Sequence, residues 1–150
     1  MLKQILVCLD GSSLAEQILP FVTEQALNSK SKVTLVRVLD VPATVAWIEG
    51  VDTDSDIVTP KSHIDEEQVV VYLESVADSV RSKGLEVENV VLHNIAADRA
   101  IVDYANKNEM DLIAITTHGR TGLMRAVLGS IADSVLRGSH LPILIIRPKD

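Results

Sequence analysis

The chain has 150 residues, a length that makes one ordinary domain, 1–150, with a core of its own. Hydrophobic residues make up 47% of it and aromatics only 3%, which excludes a disordered chain and calls for an aliphatic core of the kind that parallel strands bury on both faces. The formal net charge of -7 argues against a surface built to grip a nucleic-acid backbone, although not against a mononucleotide, which backbone amides and helix termini hold.

The chain opens on Met1-Leu2-Lys3-Gln4 and runs directly into the apolar stretch Ile5-Leu6-Val7-Cys8-Leu9. No leader pattern stands at this end, and no apolar run reaches the ~20 residues that span a bilayer, so the expected location is the cytoplasm, without membrane attachment. Cys8 is the single cysteine. It excludes an internal disulfide, and inside an apolar run it reads as a small buried hydrophobe. Ser13-Leu14-Ala15-Glu16 has capping-box spacing, and Ala15, Ile18, Leu19, Val22 and Ala26 follow at helical intervals. A second strand is expected over Val33 to Leu39. The irregular stretch after it, about Pro42 to Lys61, is long enough to expect a functional loop that closes beside a ligand, with Trp47 as a reporter.

Val69, Leu73, Val76 and Val80 form the next helical stripe, stopped near Gly84. Val87 to Leu92 is a weaker strand, interrupted by Glu88 and Asn89. Ile101, Tyr104 and Ala105 mark a third helix, and Leu112 to Ile115 a fourth strand. Val127, Leu128, Ile131, Val135 and Leu136 mark a last helix ending near Gly138, and Ile143 to Ile146 a last strand. Strand and helix alternate throughout. This predicts an α/β fold, with an open parallel sheet of five strands and helices on both faces, joined by right-handed crossovers.

Ligands of such sheets collect outside the carboxyl ends of the strands. The residues there are Asp10-Gly11-Ser12-Ser13 after the first strand, Asp40-Val41-Pro42 after the second, and Thr116-Thr117-His118-Gly119-Arg120-Thr121-Gly122 after the fourth, with Gly129-Ser130 beyond. Gly119 and Gly122 let backbone approach a ligand, and the helix starting near Gly129-Ser130 offers free amides to an anion. On the residues alone the stretch reads equally as a phosphate cradle and as a shaped loop before a capped helix.

Thr117-His118-Gly119-Arg120-Thr121-Gly122, followed by Leu128-Gly129-Ser130-Ile131-Ala132 and Val135-Leu136, resembles the C-terminal signature of the universal stress protein family. Ile5-Leu6-Val7-Cys8-Leu9-Asp10-Gly11-Ser12 resembles its opening strand and acidic turn, and Pro142-Ile143-Leu144-Ile145-Ile146 its closing strand. The resemblance implies a Rossmann-like sheet in the order 3-2-1-4-5, a homodimer through the last strand, and a stress-response protein that binds ATP or AMP. By position it assigns the adenine to the backbone of Val38, and the ribose or a phosphate-bound Mg²⁺ to Asp10. The phosphates fall to Gly119, Gly129 and Ser130, with Gly11, Ser12, Thr116, His118, Arg120, Gly122 and Ile131 completing the site. Two positions depart from the family pattern. Thr116 stands where the signature has its first glycine, and Asn94 stands after the third strand, where glycine is frequent. Ile113-Ala114-Ile115 leads straight into Thr116-Thr117, which predicts unstrained extended backbone there and a pocket narrowed by the threonine side chain.

Other chemistries find no support. Asp52, Asp54 and Asp56 begin like a calcium loop, but Ile57 and His63 occupy its glycine and glutamate positions. His63, His93, His118 and His140 lack metal-ligand spacing, and no nucleophile elbow, P-loop or Gly-x-Gly-x-x-Gly is present. With no positioned base or nucleophile, the expectation is a binding protein, at most a very slow ATPase, with a protein partner that the sequence does not name. The alternative is a nucleotide-free homodimeric interaction module.

Overall fold

The computed structural model describes residues 1–39, 66–94, 96–117 and 128–149. Five strands, β1 (Gln4–Cys8), β2 (Lys32–Leu39), β3 (Val87–His93), β4 (Leu112–Thr116) and β5 (Ile143–Ile146), form one sheet in the order β3-β2-β1-β4-β5. All four pairings are parallel. The helices are α1 (Ser13–Glu16), α2 (Leu19–Ser29), α3 (Glu66–Arg81), α4 (Ala97–Lys107) and α5 (Ser130–Gly138). The expected α/β class and strand order are therefore both observed.

Alternation along β1 explains the layering, because successive side chains of a strand face opposite sides of a sheet. Ile5, Val7 and Leu9 join Val22 and Ala26 of α2 and Val69 and Leu73 of α3 in one apolar cluster. Leu6 and Cys8 join Ile101 and Ala105 of α4 and Ala132 and Val135 of α5 in the other. A strand buried on both faces favours apolar residues throughout, hence the run Ile5 to Leu9. The polar interruption of β3 has the converse cause, since β3 is an edge. Glu88 pairs with Lys32 at 2.8 Å, and Asn89 donates to Glu74 of α3 at 2.6 Å.

Three local expectations need correction. The first helix is broken into α1 and α2, because Pro20 has no N–H to give the carbonyl four residues back. Gln17 and Ile18 instead turn tightly onto Leu14 and Ala15. The cap of α1 is Ser12, one residue before the expected one; its Oγ accepts from Ala15 N at 3.1 Å. In α5 the buried residues are Ala132 and Val135, while Ile131 and Leu136 are exposed. The long loop about Pro42 to Lys61, Trp47 within it, and Val127 lie outside the described residues.

The chain end is tied back across the molecule. Thr117 N donates to Ile146 O at 2.9 Å, carrying the β4–β5 ladder past the strand ends. Beyond it the Gln17 amide pairs twice with the backbone of Lys149, donating to its carbonyl at 2.6 Å and accepting from its N–H at 2.8 Å. Among the described residues no helix is long and apolar enough to cross a membrane.

Candidate functional site

Beyond β1 the chain turns sharply. Asp10 Oδ1 accepts from both the N–H (2.9 Å) and the hydroxyl (2.6 Å) of Ser12, closing a loop that fixes the carboxylate. Gly11 takes φ +87°, which suits glycine, and a Cβ built there would lie 2.6 Å from Nη1 of Arg37. Gly11 thus permits a close approach of turn to guanidinium, and Ser12 is committed to Asp10 and to the start of α1.

Beyond β4 the last strand residue is Thr116, buried, paired in register with Ile146 and absent from the left-handed region. The expectation of unstrained extended backbone at Thr116 is met. Any effect of this threonine on a ligand is one of room, not of conformation. Asn94, after β3, is likewise not left-handed. Its Oδ1 accepts from Ala96 N at 3.1 Å, so it ends the strand with a side-chain turn that leads into α4.

These strand ends enclose a cavity of about 360 Å³. It lies over β1 and β4, where the strand order reverses. Cys8, Leu9 and Asp10 line it from β1 and its turn; Val36, Arg37 and Val38 from β2; Ile115, Thr116 and Thr117 from β4; Ala97 and Ile101 from α4. Gly129 and the first turn of α5, Ser130 to Ala132, complete it, with Ala15 from α1. One wall is aliphatic. Another carries N–H groups, because Gly129 caps α5 without any side-chain hydrogen bond, and among the described residues no acceptor meets the first amides of that helix. The start of α1, by contrast, is already satisfied by Ser12.

Burial pushes the Cys8 thiol up to about 12, so it lines the cavity as a neutral, unreactive group. Arg37 is the surprise. It is only 7% exposed, and its guanidinium lies over the Tyr72 ring, 5.7 Å from the centroid. A single arginine inside an apolar strand run reads as an interruption; only its position next to Val38 at the carboxyl end of β2 hints at a site.

Of the expected site residues, the cavity brings together Asp10, Val38, Thr116, Gly129, Ser130 and Ile131. Gly11 and Ser12 stand behind Asp10 in its turn and are not in the lining. His118, Gly119, Arg120 and Gly122 lie outside the described residues. No cluster of three potential metal-binding side chains occurs among the described residues.

A doubly wound parallel sheet with a cavity at its switch point, walled by aliphatic residues and headed by a helix start, defines an α/β ligand-binding fold. The chain belongs to the universal stress protein family, whose model matches residues 1–147. Universal stress protein MJ0531 of Methanocaldococcus jannaschii is 27% identical over 151 residues, spanning 97% of this chain and 82% of the relative. The solved structure of MJ0577, from the same organism, superposes with a TM-score of 0.79 at 26% identity, covering 100% of this chain and 99% of the other. A universal stress protein from Archaeoglobus fulgidus, solved in complex with dAMP, shares the fold with a TM-score of 0.66 at 21% identity, over 98% of each chain.

Proposed function

We propose that this protein binds an adenine nucleotide, ATP or AMP, in the cavity at the carboxyl edge of the sheet and acts as a stress-response regulatory protein in the cytoplasm. The observation that carries the reading is the layout of the cavity. Val36, Val38, Ile101 and Ile115 give an apolar wall suited to a base, Asp10 an acceptor suited to ribose hydroxyls, and the uncapped start of α5 at Gly129-Ser130 a set of donors suited to phosphate. The dAMP complex of the Archaeoglobus fulgidus relative supports the same ligand class. His118, Gly119, Arg120 and Gly122 complete the proposed phosphate side. Gly11 and Ser12 serve it through Asp10, and Thr116 and Ile131 shape the space.

The described lining holds no pairing of base and nucleophile, so turnover is not part of the proposal. The protein is proposed to be a homodimer through β5, acting on a protein partner. Mass spectrometry of the small molecule released on denaturing the purified protein, followed by calorimetry with ATP and AMP, tests the reading. An adenine nucleotide in the supernatant and a saturable heat are expected. Neither appearing at millimolar nucleotide transfers the function to the alternative, a nucleotide-free interaction module.

A further inference from the structure

The turn that carries Asp10 has a support outside the cavity. Val36 and Val38 belong to the α4–α5 side of β2, so Arg37 between them faces the other side, towards α3 and the turn after β1. There the guanidinium packs against Gly11 with no space left over: a Cβ at Gly11 would lie 2.6 Å from Nη1, 3.0 Å from Cζ and 3.2 Å from Nη2. Its Cζ also stands over the ring of Tyr72, 5.7 Å from the centroid. Tyr72 belongs to α3, is partly buried against the α2–α3 cluster and is not in the cavity lining. Burial first, then Glu16 of α1, then the charge of Asp10 push the Tyr72 phenol up, and Arg37 pulls it down, so these groups share one neighbourhood.

These contacts form a chain from α3 to the ligand side. The Asp10 turn moves as one piece, because Asp10 Oδ1 holds the N–H and the hydroxyl of Ser12, and the same hydroxyl caps α1. Gly11, at its middle, sits on the guanidinium, so a guanidinium that moves lets the whole turn shift. Arg37 and Asp10 each have further interactions. The ring's part is separate from these: it fills the space into which a long side chain would otherwise swing. A cation over an aromatic face is also attracted by it, most strongly where water is excluded, and Arg37 is 7% exposed. A carboxylate that must meet ribose hydroxyls tolerates little displacement, since hydrogen bonds weaken steeply with distance and angle. Phosphate held by the amides of α5 stands on another element and does not depend on this turn.

We propose that Tyr72 is a positioning residue for the nucleotide: its ring holds the Arg37 guanidinium behind Gly11, and so fixes the Asp10 carboxylate where it meets the ribose hydroxyls. The proposal rests on the adenine-nucleotide reading and adds to it a residue that acts from outside the cavity. Calorimetry of the intact protein with ATP and with AMP, each against its 2′,3′-dideoxy analogue, tests it in the wild type, Tyr72→Phe and Tyr72→Leu. Base and phosphates are common to each pair, so the affinity ratio reads the ribose hydroxyls alone. The wild type should prefer the hydroxylated nucleotide by about tenfold or more, the scale of one charge-assisted contact. Tyr72→Leu should cut that ratio by about threefold or more while the dideoxy affinity stays within about twofold of the wild type's. Tyr72→Phe, which keeps the ring, should keep the ratio. If circular dichroism shows that Tyr72→Leu has not folded, Arg37→Met, which removes the backing group itself, is read by the same ratio. A wild type indifferent to the hydroxyls, a folded Tyr72→Leu with the wild-type ratio, or one that loses both members of a pair alike overturns the proposal while leaving nucleotide binding intact. So does a Tyr72→Phe that falls as far as Tyr72→Leu, which assigns the effect to the phenol. A wild type that binds neither nucleotide removes the nucleotide reading itself, and this proposal with it.

Discussion

Asp10 and Thr116 stand on the two central strands at the same sheet edge, and each has a role that a single substitution separates from the fold. Asp10 contributes to a turn and to the cavity but not to either apolar cluster. Asp10→Ala should leave circular dichroism unchanged and weaken nucleotide affinity by about 1.5–3 kcal/mol, the range for one charge-assisted hydrogen bond; calorimetry that finds equal affinities removes Asp10 from the site. Thr116 occupies ordinary strand backbone and projects bulk at the cavity. Thr116→Gly should therefore tighten binding of ATP or AMP, at a stability cost of no more than about 1 kcal/mol, the usual penalty for glycine in a strand. Parallel titrations and urea melts of the two forms check both halves of the statement. Asp10, Val38 and Thr116 were legible in the sequence because each directly follows or ends an apolar run. Arg37 was not, because its significance comes from Gly11 and Tyr72, which only the fold brings to it.

The elements were legible wherever a period was complete. Strands β1, β2 and β4 are mostly apolar because both of their faces are covered, with Thr34 and Arg37 as the buried polar exceptions within β2, and α3 repeats its buried residues Val69, Leu73, Val76 and Val80 at helical spacing. The readings that failed turn on single residues: Pro20, whose missing N–H splits α1 from α2, and Ala132, whose small side chain faces the core while the larger Ile131 faces the cavity and solvent. One link between elements has a pH signature. Asp111, just before β4, accepts from Lys3 N at 2.7 Å and Gln4 N at 2.9 Å at the start of β1. Those backbone donors, Lys3 first, hold its carboxyl below the ordinary carboxylate range. A depressed folded-state value means that the contribution is fully present above the unfolded value, about 3.9, and is lost as pH falls through the folded one. Asp111→Asn should therefore be less stable than the wild type at pH 7, and the gap should narrow below about pH 4. Urea midpoints at both pH values measure it; a gap independent of pH contradicts the linkage.

At the scale of the molecule the two sheet edges differ. β3 carries charged and amide side chains that pair with Lys32 and α3. β5 is four aliphatic residues, all partly exposed, with β4 as its one strand neighbour among the described residues. An apolar edge of this kind invites a second strand, and antiparallel pairing of β5 with its copy is the proposed dimer. Light scattering at micromolar concentration should give twice the chain mass; a monomer there would dismiss it.

The double hydrogen bond between Gln17 and Lys149 bears on how such a pair could form. It anchors the chain just past β5 to the turn between α1 and α2 of the same molecule, 132 residues away in sequence. Trading fifth strands between two copies would require each to unclip its own tail first, so this amide acts against domain swapping. Two copies meeting at this edge would each keep their own β5. The pair would then separate on dilution into intact, folded halves.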